Sequence, residues 1–216
     1  MSDATNEIHY TNAEDLRAAL GHPSDLAARK TLLKLDKYCR AFIARAPFLT
    51  LSTASASGKA DVTPRGDYPG FVLVLDERTL FLPERPGNAR YDSLTNILEN
   101  PHVGLLFFVP GFEDMLRVNG RAMVVHDAPL LARCALDGKI PKVGIKVHVE
   151  EAFLHCAKAV RRAKLWDPSM LRDRTELPSL GKMILEQTAA DQTPPSAELV
   201  ESVDAYVEEN YRSALY

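Results

Sequence analysis

Residues 61–90 read DVTPRGDYPGFVLVLDERTLFLPERPGNAR, and the architecture can be inferred outward from this stretch. Apolar runs of four or five residues alternate in it with short turns at 68–70 and 76–78, which are rich in Pro, Gly and Asp. Strands joined by turns of hairpin length are antiparallel, since parallel strands require much longer crossover connections. The stretch therefore predicts an antiparallel sheet rather than a doubly wound parallel one.

Similar apolar runs continue on both sides of this stretch. We predict strands at 48–53, 61–65, 71–75, 79–82, 103–109, 115–125 and 144–153. Short strands at such close spacing favour a mostly antiparallel barrel. The dipeptide Asn119-Gly120 inside the run 115–125 is a strong hairpin signal. The alternative is one long strand with a bulge or a close backbone contact at Gly120.

Helical periodicity flanks the predicted strands. We predict one helix from Ser24 or Asp25 to Ala46, a second from about Ala89 to Glu99, and others at 155–165, 180–189 and 196–211. The last of these presents an inner apolar face formed by Leu199, Val200, Val203, Tyr206 and Val207. The linker between the last two helices is Gln192–Pro195. The domain prediction is an N-terminal extension at 1–22, a barrel domain at 23–170, and C-terminal helices at 171–216 that pack on the same domain.

The composition of the chain, and the motifs that it lacks, argue against several classes of function. The net charge of −3 argues against nucleic acid and anionic membrane as partners, and no apolar run is long enough to span a membrane. Cys39, Cys134 and Cys156 form no CxxC pair, which fits a reducing cytoplasm, and we expect Cys39 and Cys156 to be buried packing residues. The histidines show no metal-ligand spacing, and neither GxSxG nor a Walker loop is present.

Three motifs carry the candidate chemistry, although Pro64-Arg65-Gly66-Asp67 also fits an ordinary solvent-facing turn. Thr63-Pro64-Arg65-Gly66-Asp67 ends a strand, Pro83 to Arg90 runs from a strand into a helix, and Arg117 and Asn119 share one face of a later strand because side chains alternate.

The second motif has the clearest physical basis. Gly87 permits close approach, Asn88 can cap the new helix, and Arg85 and Arg90 stand beside its free N–H groups. Such a site suits a phosphate monoester. The alternative is an ordinary capped helix with two solvated arginines.

In their order, these motifs resemble the pyridoxamine 5'-phosphate oxidase-like FMN-binding split-barrel proteins, in particular a bacterial FMN-dependent, flavin-nucleotide-binding subgroup. The resemblance covers about 25–170 and includes the runs 92–101, 103–107 and 116–122. It implies a mainly β fold with flanking helices (α+β), built on a six-stranded antiparallel split barrel. It further implies a homodimer with FMN at the subunit interface, and it favours 115–125 as a single strand.

The resemblance also implies roles for individual residues. It places four residues along the flavin: Thr63, Arg65, Gly66 and Asp67. It places the second motif at the phosphate, with Pro83, Arg85, Gly87, Asn88 and Arg90. The resemblance also implies that Arg117 and Asn119 reach the flavin site from the second subunit. Arg65 or Arg117 could place positive charge near N1 and the C2 carbonyl of the ring, and Asp67 could accept from N3–H.

The role of Trp166 stays open between two interpretations. The side chain either packs at the end of a short helix before Pro168 or stacks near the flavin from the partner subunit. The basic stretch from Lys158 to Lys164 could reach a substrate anion, although Arg162 and Lys164 are better explained as a solvated helix face.

The chain departs from true pyridoxamine 5'-phosphate oxidases in two motifs. Those enzymes carry Ser-Arg-Lys where this chain has Gly87-Asn88-Ala89-Arg90, and their C-terminal Arg-x-His is missing here. Both departures argue against vitamin B6 phosphates as ligands. The favoured prediction is an FMN-dependent oxidoreductase acting on a small unidentified substrate, with no catalytic residue assigned. The alternative is a non-catalytic flavin carrier or redox sensor.

Overall fold

A computed structural model describes residues 7–189 and 193–216. Its strands are β1 Phe48–Ala54, β2 Ala60–Gly66, β3 Leu73–Val74, β4 Thr79–Pro83, β5 His102–Phe108, β6 Met115–Val125 and β7 Gly144–His155. They form one seven-stranded sheet in the order β2-β1-β5-β6-β7-β4-β3, with every neighbouring pair antiparallel. The predicted antiparallel, mainly β architecture is confirmed.

The number of strands and the closure of the barrel differ from the prediction. The sheet has seven strands, as many as the apolar runs predicted, whereas the resemblance implied six; of the run 71–75, only Leu73–Val74 pairs with β4, as an edge strand. Within the described residues no ladder joins the two edge strands β2 and β3, so hydrogen bonds do not close the sheet into a barrel.

The ambiguous dipeptide Asn119-Gly120 lies inside β6, which is one strand of 11 residues. The register between β6 and β7 shifts between these two residues, so the dipeptide forms a bulge and not a hairpin turn. A Cβ atom at Gly120 would overlap the carbonyl oxygen of His148 on β7. The prediction of one long strand with a close backbone contact is therefore confirmed.

The described helices are α1 Ala13–Leu20, α2 Asp25–Arg29, α3 Lys37–Ile43, α4 Asp92–Glu99, α5 Ala128–Arg133, α6 Lys158–Ala163, α7 Leu180–Thr188 and α8 Ala197–Ser213. Single 3-10 turns lie at Pro168–Met170 and Arg174–Glu176. The pattern analysis missed α1, whose N-cap is Asn12, and α5, whose N-cap is Asp127.

The single helix predicted from residue 24 to 46 is wrong, because the chain leaves the helix between α2 and α3. There Leu32 exchanges two backbone hydrogen bonds with Ala152 of β7, at 2.9 and 2.8 Å. A new helix then begins where the carboxylate of Asp36 accepts from the N–H groups of Tyr38 and Cys39. A contact distant in sequence thus overrides a continuous helical pattern.

The core is formed by the inward faces of the strands and by α3. Its largest fully buried side chains include Leu35, Ile43, Leu49, Leu51, Leu105, Phe107, Leu116 and Ile145. Burial of this apolar surface supplies the main driving force for the fold. Cys39 is buried as predicted, whereas the same prediction for Cys156 is wrong, because Cys156 follows the end of β7 and is exposed.

The C-terminal helices differ in part from expectation. Helices α7 and α8 contact each other, and the N–H of Gly181 donates to Asp204 Oδ1 at 3.1 Å. On α8, Leu199 and Tyr206 are exposed, so the predicted inner face is wrong for these two side chains. Residues 1–6 of the predicted extension and Gln192 of the predicted linker lie outside the described residues.

Two kinds of feature are absent from the described ranges. No helix there combines the length and the apolar character needed to cross a membrane. No group of three or more His, Cys, Asp or Glu side chains there could hold a metal ion.

Candidate functional site

A cavity of about 340 Å³ lies between β2 and the segment that connects β4 to α4. It brings together these predicted site residues: Thr63, Arg65, Gly66, Pro83, Arg85, Gly87, Asn88 and Arg90. Two motifs separated by some twenty residues in sequence thus share one cavity, because the sheet curves until its β2 edge approaches the end of β4.

Arg65 projects from β2 into this cavity between two partners. Its Nη1 donates to the carboxylate of Glu84, and its Nη2 donates to the hydroxyl of Ser93 at 2.5 Å. Among the described residues, the buried Nε of Arg65 and the buried hydroxyl of Thr63 have no hydrogen-bond partner. Buried polar groups seldom remain unpaired, so these two atoms are exceptions among the residues that line the cavity.

Helix α4 begins later than the sequence predicted, and its cap is different. It starts at Asp92, and its N-cap is Tyr91 in the left-handed conformation, with φ of 56°. Asn88 does not cap the helix, because its side-chain oxygen accepts from the N–H of Arg90 at 3.1 Å and forms a local turn.

The first turn of α4 therefore keeps its backbone donors available. No side chain in the described parts of the chain caps this turn. Ala89, like Tyr91, is a non-glycine residue with positive φ, at 57°. Such backbone conformations cost free energy and are concentrated at ligand sites. The segment 89–93 thus combines two strained residues with a helix N-terminus that has no side-chain cap, and Asp92 adds a negative charge to its first turn.

Arg90 stands beside this helix end and is exposed. Its Nε donates to Asp92 Oδ2 at 2.7 Å, and that hydrogen bond, with the charge of Asp92, raises the pKa of Arg90 above its ordinary value. Exposed ion pairs of this kind contribute little to stability. The pair with Asp92 therefore adds little to the stability of the fold.

Arg85 has a different environment from Arg90. Its Nε donates to Asp67 Oδ2 at 2.6 Å, and the side chain of Asp67 is only 2% exposed. The guanidinium lies over the ring of Tyr216 at 5.4 Å, and the Tyr216 hydroxyl donates to Asp67 Oδ1 at 3.2 Å. Burial, followed by the charge of Asp67, raises the pKa of Tyr216. Arg85 and Asp67 thus form an ion pair with each other. The sequence analysis had placed them at opposite ends of a flavin.

The remaining predicted residues do not line the cavity. Arg117 and Asn119 lie on one face of β6, as alternation predicts, and both donate to Glu151 of β7, at 2.9 and 2.7 Å. Arg117 also lies over the ring of Phe153 at 4.0 Å. Trp166 follows α6, and its Nε1 donates to the carbonyl of Phe112 at 2.7 Å. The side chain of Trp166 is 37% exposed, and both interpretations of its role stay predictions.

The cavity residues that the sequence analysis did not assign include Glu84, Ser93 and Tyr91. Glu84 lies in the quoted motif but was overlooked as a partner for arginine, and Ser93 lies just after it. A count of charges within the motif would have singled out Glu84. Tyr91 has no sequence signal, because its left-handed conformation is unusual for an aromatic residue.

Comparison with known families matches residues 35–156 to the family described as "Pyridoxamine 5'-phosphate oxidase". No curated protein matches the chain.

Several solved structures are similar in fold. HupZ of Group A Streptococcus is 18% identical, with a TM-score of 0.45 over 56% of this chain and 93% of that one. General Stress Protein 26 of Bacillus anthracis is 20% identical, with a TM-score of 0.40 over 53% and 88%. An FMN-binding protein of Syntrophomonas wolfei is 14% identical, with a TM-score of 0.44 over 54% and 83%.

Proposed function

Because the chain belongs to the pyridoxamine 5'-phosphate oxidase family, we propose that it binds FMN in the cavity between β2 and the N-terminus of α4 and acts as a flavin-dependent oxidoreductase on a small substrate. The observation that carries this proposal is the contact between Arg65 Nη2 and the Ser93 hydroxyl, 2.5 Å apart, at the first turn of α4. That contact brings a cation to a helix end whose N–H groups lack a side-chain cap within the described residues.

The phosphate of FMN is held, in this proposal, by Arg65, Arg90 and the first turn of α4. A phosphate dianion is stabilised by the partial positive charge of a helix N-terminus and by charge-assisted hydrogen bonds from arginine. Arg90 becomes available when it releases Asp92, and Glu84 keeps the guanidinium of Arg65 in position. This assignment moves Arg65 from the ring end of the flavin to the phosphate end.

The cavity walls fit such a ligand in two further respects. Thr63 Oγ1 and Arg65 Nε are buried donors that find no partner in residues 7–189 and 193–216. An FMN molecule carries phosphate, hydroxyl and carbonyl acceptors that could satisfy them. Phe71 and Tyr91 in the wall offer aromatic surface to a planar ring.

When bound, FMN supplies the transfer of a hydride or of single electrons. The side chains of the cavity bind and orient the cofactor and place positive charge beside it. No acid or base is assigned, since flavin chemistry depends mainly on the cofactor.

We further propose that the site is completed by a second copy of the chain. On the outer face of the sheet Phe48 of β1 and Val62 of β2 are exposed apolar side chains. On the same sheet the Nε of Arg117 is buried and, within the described residues, unpartnered. In a homodimer Arg117, Asn119 and Trp166 would reach the site from the partner. Light scattering tests this proposal: a monomer that binds FMN at full occupancy would contradict it.

The flavin proposal has a direct test. We expect the purified protein to be yellow, to release FMN on denaturation, and to bind FMN about tenfold or more weakly after Arg90→Ala, which removes a charge-assisted contact. Arg161→Ala, at an exposed arginine paired with Glu113 outside the cavity, is the matched control and should bind normally. A colourless protein that takes up no FMN on titration would refute the proposal.

A second measurement separates the oxidoreductase from a flavin carrier or sensor. The FMN-loaded protein is mixed anaerobically with NADH or NADPH, and flavin absorbance is followed by stopped flow. Bleaching by either donor supports turnover, whereas its absence with both supports the carrier.

A further inference from the structure

A second cavity, of about 550 Å³, adjoins the first. The two cavities share Glu84, Arg85, Pro86 and Tyr91 as walls. The opposite wall is the segment 139–143, which leads into β7 and is joined to the first wall by the hydrogen bond from Glu84 N to Val143 O, 3.0 Å long. The second cavity is thus built on the β4–β7 ladder, and its volume is in the range of small-molecule sites.

The surface of the second cavity is largely apolar. Leu94 and Pro141 are buried beneath it, and Ile140 and Tyr91 stand at its mouth with 58% and 56% exposure. Large apolar side chains at the mouth of a cavity favour ligand binding, because a bound ligand would shield them from water.

The charge of this cavity is positive. Arg85, Lys139 and Lys142 line it, together with Glu84 and Tyr216. Glu84 pairs with Arg65, Arg85 pairs with Asp67, and Lys139 Nζ donates to the Tyr216 carbonyl oxygen at 2.6 Å. Among the described residues, Arg85 hydrogen-bonds through Nε alone, so both of its Nη groups remain available. Within the described residues the Lys142 side chain takes part in none of the ion pairs, which involve other lysines such as Lys34, Lys146 and Lys182.

We infer that the second cavity binds a planar aromatic carboxylate. The two Nη groups of Arg85 match the two oxygens of a carboxylate, a bidentate geometry that a neutral ligand cannot use. Lys142 adds a second cation, and Tyr91, Ile140 and Leu94 contact the ring. That this ligand is the substrate of the bound flavin rests on the proposed function, whereas the binding site itself does not.

Isothermal titration with naphthalene-2-carboxylate tests the inference, and the neutral naphthalene-2-methanol serves as the matched probe. Both are titrated into the full-length protein with and without saturating FMN. The carboxylate should bind about tenfold or more tightly than the alcohol, as expected for a charge-assisted bidentate contact. Lys142→Gln should reduce that difference without abolishing it, because Arg85 keeps its bidentate contact, and Ile140→Ser should weaken both probes. Lys59→Gln, in the exposed turn between β1 and β2, is the control and should bind both normally.

Equal affinity for the two probes, no binding of either, or a Lys142→Gln protein that behaves as wild type would overturn the inference. Lys142 and Ile140 are exposed, so the variants should fold, which far-UV circular dichroism checks. FMN titration of the same samples separates the two proposals. If FMN binds and the carboxylate does not, only this inference fails. If the carboxylate binds with the predicted losses and FMN does not, the proposed function fails and the second site stands.

Discussion

Arg85 donates from Nε to Oδ2 of Asp67 at 2.6 Å, and this pair joins two segments that stand near opposite ends of the sheet order. Asp67 follows edge strand β2, and Arg85 follows β4, which lies next to the other edge. Arg65 on β2 and Glu84 after β4 form a second ion pair across the same gap. The sheet edges are thus held together by side chains where no backbone ladder joins them in the described structure, and the candidate FMN cavity lies at that junction.

Asp67→Asn should destabilise the protein by about 3 kcal/mol, because it leaves the largely buried cation of Arg85 without its partner. Urea denaturation followed by circular dichroism gives the free energy of unfolding. Glu113→Gln, which breaks the exposed pair with Arg161, is the control and should leave that free energy unchanged within error. Equal shifts in the two variants would show that the buried pair does not hold the sheet edges together.

Gly120→Ala should destabilise the protein by about 1–3 kcal/mol, since its Cβ would overlap the carbonyl oxygen of His148 in the bulge of β6. Thermal and urea unfolding measure the effect. Gly87→Ala is the matched control: no atom lies within 4 Å of a Cβ there and φ is not positive. A Gly120→Ala protein as stable as wild type would contradict the close approach of the two strands.

Local pattern was sufficient to predict most strands of the sheet. The run Met115–Val125 has the composition of a strand, and the structure contains it with the predicted bounds. The turn-bounded run predicted at 79–82 became β4, which is one residue longer, Thr79–Pro83. These strands could be predicted because side-chain alternation and turn-forming residues act over only a few positions in sequence.

The start of α4 could not be predicted in the same way. Asn88 is a better cap than Tyr91 by intrinsic preference, yet the helix begins at Asp92. In the folded chain Ser93 is bonded by Arg65 from β2, a contact across 28 residues. The interruption of the first predicted helix at Leu32 has a similar cause, because its partner Ala152 lies far along the chain. Pairings of this kind carry no local signal.

Cys156 should be the first cysteine to react with iodoacetamide near neutral pH. It is exposed, and a hydrogen bond from the backbone of Lys158, with the charges of Lys158 and Lys30, lowers the pKa of its thiol. Burial raises the pKa of Cys39 to about 11, and burial also raises that of Cys134. Peptide mass spectrometry after timed alkylation gives the rates. Modification of Cys39 or Cys134 as fast as Cys156 would contradict the burial described here.

His155 should titrate below its ordinary value of about 6.5. Burial lowers its pKa first, and the charges of Arg117 and Lys30 lower it further. Because the folded pKa is depressed, the neutral ring contributes stability above the unfolded pKa, and that contribution is lost as pH falls through the folded pKa.

NMR titration of the His155 ring gives the pKa directly. Arg117→Gln should raise it by removing the second of the three causes, and His155→Gln should reduce the loss of stability between pH 7 and 5. A wild-type pKa above the ordinary value, or one that Arg117→Gln leaves unmoved, would contradict this assignment.

The central claim is that Arg65, Arg90 and the first turn of α4 recognise the phosphate of FMN. Titration calorimetry of the flavin-free protein with FMN and with riboflavin tests it most directly, because the two ligands differ only by that phosphate. We expect one FMN per chain and riboflavin binding about a hundredfold more weakly, as the loss of several charge-assisted hydrogen bonds requires. Equal affinity for the two flavins, or no binding of FMN, would contradict the account.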